Sequence, residues 1–237
     1  MHYTNSIHMG EWIVDSIKIL YEDSQIAVCV KPAGILSQTG KTGEASMVTQ
    51  LETQLGTSIY PVHRLDREAA GVMVYAKTER GAADLSRQIQ SGKLEKEYLA
   101  VVQGRPRPDQ GMLTDFLYHD QRKNKTYVVK RPRKGVKEAR LLYRVLMERE
   151  HETLVQIRLL TGRTHQIRVQ FASRRWPLAG DGRYGGGSGT MQLWSMRLSF
   201  LTLQMERRSF VELPDAMGSF SEIEMPEALN PANFLEM

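Results

Sequence analysis

His63-Arg64-Leu65-Asp66-Arg67 sets one carboxylate between two guanidinium groups, just ahead of the apolar run that begins at Gly71. A fixed, desolvated carboxylate can act as a nucleophile or as a base. The same five residues would also suit an exposed ion pair of small energetic weight. Two further polar clusters stand at the edges of apolar elements. Lys96-Glu97-Tyr98-Leu99-Ala100 starts a strand with a tyrosine, whose hydroxyl can pass a proton or simply anchor the ring. Leu160 to Arg168 forms a polar turn that opens a helix, and free N–H groups at such a turn can hold a phosphate or be capped from within.

The elements that must position these groups can be traced by pattern. Ile17 to Tyr21 and Gln25 to Val30 read as two short strands joined at Glu22-Asp23-Ser24, and Lys31-Pro32-Ala33-Gly34 ends the pairing. Val48, Leu51 and Leu55 share one face of a helix over about 45–55. Gly71 to Ala76 is nearly all apolar and reads as an inner strand. Thr78 can cap a helix running to about Gln90, with Gly92 beyond its end. Tyr98 to Val102 is the next strand, Gly104 to Gly111 a connector, and Met112 to Lys130 a strand-rich excursion. Arg140 to Leu146 and Thr153 to Leu159 flank a polar turn and predict a hairpin. A helix over Thr164 to Arg174, a loop of six glycines from Gly180 to Gly189, and strands over Met191 to Leu203 and Ser209 to Leu213 complete the chain. Strands outnumber helices and alternate with them irregularly, which predicts an α+β fold with a mixed, mainly antiparallel sheet.

The chain has 237 residues, 41% of them hydrophobic, enough for one large core. No run is long and apolar enough for a membrane span, and the start lacks the pattern of a secretion signal, so the expected location is the cytoplasm. Cys29 is the single cysteine and sits in an apolar strand, which excludes an internal disulfide and predicts a core residue. Net charge is +5, but it is segregated. Residues 122–140 carry nine Lys and Arg, among them Lys130, Arg131, Arg133 and Lys134, against Glu138 alone. That stretch suits a phosphate-bearing partner, while the segment from Glu212 onward has acidic side chains and no Lys or Arg.

Taken together, the clusters resemble the RNA pseudouridine synthases of the RluA family. The resemblance runs from about Ile17 to Leu213 and rests on ordered motifs: Lys31-Pro32-Ala33-Gly34, His63 to Asp66, Lys96 to Ala100, Gly162 to Arg168, and Gly180 to Gly185. The chain departs from the family pattern in two places, Glu68-Ala69-Ala70 after the aspartate segment and Trp176 before Pro177. The expected organisation is an N-terminal extension (1–16), a catalytic domain with a central cleft (17–225) and an acidic tail (226–237), with no room for the family's frequent N-terminal RNA-binding domain.

The resemblance implies isomerisation of uridine to pseudouridine in ribosomal or transfer RNA by a monomer that needs no cofactor. It assigns catalysis to Asp66, Arg168 as the partner that aims it, and Tyr98 against the uracil ring. Arg64 is expected to fill the place of the flipped nucleotide, and His63, Arg67, Arg163 and His165 to shape the site or touch RNA, with the basic stretch on the same ligand. Two rivals stay open at this point. A metal-dependent ribonuclease would gather His63, Asp66, His165 and Asp181 around an ion, and a non-catalytic RNA-binding protein would keep the basic stretch alone.

Overall fold

The computed structural model describes residues 16–40, 43–202 and 206–220. The expected N-terminal extension, apart from Ser16, and the acidic tail lie outside the described residues. Strands β1 (Lys18–Glu22) and β2 (Ile26–Lys31) form the first hairpin. Asp23 Oδ1 closes its turn by accepting from the backbone N–H groups of Gln25 at 2.7 Å and Ile26 at 2.8 Å. Helix α1 (Met47–Leu55) begins two residues later than its apolar spacing suggests, because Ser46 and Thr49 cap its start reciprocally. Gly56, at φ +64°, ends it.

The two-residue strand β3 (Tyr60–Pro61) is too short for pattern to reveal. It leads through a loop over 62–69 into β4 (Ala70–Ala76), the inner strand, buried at every residue. Helix α2 (Glu79–Gln90) has Thr78 as its N-cap, as expected. Then follow β5 (Glu95–Gln103), β6 (Gln110–Asp120), β7 (Lys125–Val129), β8 (Val136–Glu148) and β9 (Glu152–Leu159), the last two forming the predicted hairpin. Helix α3 (Gln166–Ala172) precedes β10 (Leu193–Leu201) and β11 (Arg207–Val211).

These strands form one sheet, ordered β1-β2-β4-β10-β5-β9-β8-β6-β7, with β11 and β3 attached to β10 and β4. The contact of β10 with β4 is parallel, and the other strand pairings are antiparallel. The mixed, mainly antiparallel α+β sheet anticipated from element order is the observed one. Gly71 makes the central junction possible. A Cβ there would stand 2.3 Å from the Ser195 carbonyl oxygen, and the residue lies at φ +113°, so only glycine lets β10 come alongside β4.

Alternation along the strands divides the core between the two faces of the sheet. One face collects Cys29, Met73, Tyr75, Tyr98, Ala100, Val155 and Ile157 under α1 and α3, which contribute Met47, Leu51, Ile167 and Phe171. The other carries Val28, Val72, Val74 and Phe200 against Leu85 of α2. Cys29 is a fully buried free thiol, as its apolar strand implied, and burial pushes its pKa well up. Among the described residues, no helix is long and apolar enough to cross a membrane.

Candidate active site

Asp66 lies in the loop over 62–69, and contacts from three directions hold that loop. Leu65 is buried, its N–H donating to Ser37 Oγ at 3.0 Å while that hydroxyl donates to the Leu65 carbonyl at 2.9 Å. Lys31 has no exposed surface and directs its ammonium to the carbonyls of Pro32, Arg67 and Ala69 at 2.9, 3.0 and 2.7 Å. Burial pulls the Lys31 pKa down to about 7, and the Glu68 and Asp66 charges act against that pull. At the other end of the loop, the Val74 N–H donates to His63 Nε2 at 3.1 Å. His63 is therefore the Nδ1–H tautomer, and burial keeps its pKa well below the usual histidine range. The short run Lys31 to Gly34, read from sequence as a strand terminator, thus also supports the aspartate loop.

Arg168 comes from the opposite side, on α3. That helix starts later than its apolar spacing predicts because His165 adopts a left-handed conformation, φ +53°, and turns the chain immediately before Gln166. Gln166 folds back to accept from the Arg163 N–H at 3.0 Å and the Thr161 hydroxyl at 2.8 Å, which fixes the turn. Arg168 Nη1 donates to Asp66 Oδ2 at 2.9 Å, while Nε and Nη2 donate to Asp181 Oδ2 and Oδ1 at 2.7 and 2.9 Å. Burial alone would lower the Arg168 pKa, but the hydrogen bonds from Asp181 and Asp66 outweigh it and hold the group fully charged.

Asp181, 2% exposed, was legible in sequence as part of a glycine-rich motif and as one of four possible metal ligands, not as the second partner of Arg168. Its loop is shaped by close backbone contact: a Cβ on Gly186 would lie 1.7 Å from the Leu178 carbonyl oxygen. Tyr184 of the same loop places its ring 5.3 Å from the Arg168 guanidinium carbon. The Tyr184 hydroxyl meets His165 Nδ1 at 2.9 Å and accepts from the Thr126 N–H at 2.8 Å. His165 Nε2 stands 3.8 Å from Asp66 Oδ2. Burial lowers the His165 pKa despite the Asp66 charge, which leaves the ring neutral at pH 7.

Asp66, Tyr98 and Arg168 line one open cleft of about 830 Å³, with Arg64, His63, Arg163 and His165 also on its wall. Tyr98 is 5% exposed. Burial, then the Asp66 charge, raises its pKa, with the Ser195 hydroxyl partly offsetting them, so the phenol is neutral. Arg64 is exposed at the cleft. Arg67 turns away from the cleft to Glu44, at 2.8 Å, and to the Gly34 carbonyl, at 2.9 Å. Lys130, Arg131, Arg133 and Lys134 are exposed in the connection from β7 to β8 and do not line the cleft. Strand β7, which leads into that connection, is tied to the site through Thr126, which meets Tyr184 and donates from Oγ1 to the Thr164 carbonyl at 2.8 Å.

The donors required by a metal-dependent nuclease are differently employed. Arg168 lies between Asp66 and Asp181 and hydrogen-bonds both, and His63 Nε2 is occupied by the Val74 N–H. Among the described residues, no three His, Cys, Asp or Glu side chains are grouped to hold an ion.

A family model described as RNA pseudouridylate synthase matches residues 25–173, which include Asp66, Tyr98 and Arg168. The dual-specificity RNA pseudouridine synthase RluA of Yersinia pestis is 33% identical over 174 residues, covering 70% of this chain and 81% of its own length. The chain belongs to the RluA family of RNA pseudouridine synthases. Another family member, an uncharacterized RNA pseudouridine synthase of Aquifex aeolicus, is 38% identical over 187 residues, 74% of this chain and 58% of its own. The ribosomal large subunit pseudouridine synthase D of Nitrosomonas europaea is 36% identical over 186 residues, 75% and 52% respectively. This family member thus spans a little over half the length of those two relatives. Its fold is shared with the human RNA pseudouridylate synthase domain containing 1, with a TM-score of 0.74 at 20% identity and coverage of 90% and 89%. Asp181 and Tyr184 lie beyond the segment matched by the family model.

Proposed function

We propose that the protein isomerises uridine to pseudouridine in ribosomal or transfer RNA, with Asp66 as the group that acts on the nucleoside. One observation carries the reading: Asp66 opens onto a cleft shared with Tyr98 while Arg168, itself held by Asp181, fixes one of its carboxylate oxygens at 2.9 Å. The reaction breaks the N1–C1′ bond, turns the uracil and forms C5–C1′, and the proton on C5 leaves. The redox state is unchanged, so no electron carrier takes part. Asp66 acts as nucleophile or as base in the first step. Tyr98 packs against the ring and, as a neutral phenol, donates a hydrogen bond to it, while the C5 proton passes to the Asp66 carboxylate, free again once C5–C1′ has formed, or to water.

Arg64, at the cleft wall, takes the place of the extruded nucleotide, and Arg163 and His165 shape the turn opposite. His63 orders the loop from behind, and Arg67 pins it from outside. The basic connection carrying Lys130, Arg131, Arg133 and Lys134 meets RNA phosphates beyond the cleft. The enzyme works as a monomer in the cytoplasm, where both RNA classes are available. Relatives named as acting on the ribosomal large subunit and on transfer RNA support either target. The test is tritium release from RNA containing [5-³H]uridine, using rRNA and tRNA from cells that lack the protein. Release on one class supports the reading, and none on either contradicts it.

A further inference from the structure

We infer that Lys96 is a phosphate-binding residue of the cleft, holding the RNA backbone beside the uridine whose base meets Tyr98; this rests on the proposed pseudouridine synthase reading. Lys96 and Tyr98 are two residues apart on β5 and both line the cleft, so the ammonium and the phenol serve the same bound nucleotide. The Lys96 Nζ lies over the turn that precedes α3, 3.9 Å from where a Cβ on Gly162 would stand. It occupies the gap between the two walls.

Apart from Arg64, the other cations around this cleft are committed to protein groups. Arg168 pairs with Asp66 and Asp181, Arg158 with Glu97, and Arg140 with Glu138, while Arg163 donates to the Glu138 carbonyl. The acidic neighbours of Lys96 in sequence are also engaged elsewhere, Glu95 with Arg207 and Glu97 with Arg158 and Arg197. Among the described residues, Lys96 has neither a carboxylate nor a hydrogen-bond acceptor. Lys31 shows the contrast: fully withdrawn from water where Lys96 is half-buried, it has three carbonyls gathered around it. Burial pulls the Lys96 pKa down to about 8, so the side chain remains mainly ammonium at pH 7. An unpaired cation in a partly desolvated wall is costly unless the ligand supplies its counter-charge, and an RNA ligand brings a phosphate with every nucleotide.

Fluorescence anisotropy of a labelled stem-loop RNA with an oligouridine loop, titrated with wild type, Lys96→Met and Lys96→Gln over a series of KCl concentrations, tests this. Both variants are expected to bind about tenfold more weakly, with the slope of log K against log [KCl] shallower by about 0.7, the contribution of one single-strand phosphate contact. Wild-type affinity and slope in both variants would overturn the inference. Weaker binding with an unchanged slope would also overturn it, since that places the ammonium on an uncharged group such as a uracil carbonyl. Tritium release by the wild type is scored in parallel. An active wild type with an unchanged Lys96 slope removes only the phosphate contact, whereas an inactive wild type removes the synthase reading and leaves the slope to decide the contact.

Discussion

Asp181 grips Arg168 through two parallel hydrogen bonds, Nε to Oδ2 at 2.7 Å and Nη2 to Oδ1 at 2.9 Å, and so leaves Nη1 as the edge presented to Asp66. A guanidinium held by one carboxylate could swing about its own side chain, but one held on two sides cannot. Pre-organisation of Asp66 therefore depends on a residue that need not touch the substrate.

Asp181→Asn is expected to lower kcat by roughly a hundredfold, the scale of a small misplacement at a reacting centre, with little change in KM. Asp181→Ala should also destabilise the fold by about 3 kcal/mol, because it removes one carboxylate from a buried cation. Steady-state kinetics and chemical denaturation check the two effects. Equal losses in kcat and in RNA affinity would place Asp181 in substrate binding instead.

Lys31→Met removes the donors that collect the Pro32, Arg67 and Ala69 carbonyls. Each buried carbonyl left unsatisfied costs about 1–3 kcal/mol, so the denaturation midpoint should fall measurably and activity should fall with it. A stable, fully active variant would show that the aspartate loop holds its shape without this support.

Gly71→Ala forces a Cβ to within 2.3 Å of the Ser195 carbonyl at a residue with φ +113°. The strand junction must open or the backbone must change region, at a cost of more than about 2 kcal/mol. Thermal unfolding should show a clear drop in Tm, whereas an unchanged Tm would mean that β10 does not need this close approach.

Replacing Lys130, Arg131, Arg133 and Lys134 together by Gln should weaken RNA binding and reduce the salt slope by about 0.7–0.9 for each phosphate that these side chains neutralise. They lie outside the cleft, so kcat at saturating RNA should change little. An unaltered slope would remove the connection from the binding surface.

The residues that pattern could find are those whose environment is set by their own segment. The continuous apolar run of β4, the Thr78 cap and the polar turn between β8 and β9 all follow from local spacing. Asp66, Tyr98 and Arg168 were legible as chemistry-bearing types in ordered motifs, and the Asp66–Arg168 pair followed from resemblance. The Arg168–Asp181 fork, the Lys31 carbonyl cluster and the contact of Tyr184 with Thr126 were not legible, because each joins segments whose meeting is decided by sheet order. The late start of α3 escaped for a different reason. His165 takes a left-handed conformation that apolar periodicity does not encode, and the Gln166 side chain folds back to secure it.

Asp66→Asn tests the account most directly, since it keeps the shape of the side chain and an acceptor for Arg168 while removing the charge. Tritium release from [5-³H]uridine RNA should fall by more than about a hundredfold with RNA affinity near that of the wild type. Release at a rate close to wild type would contradict the assignment of Asp66 as the group that acts on the nucleoside.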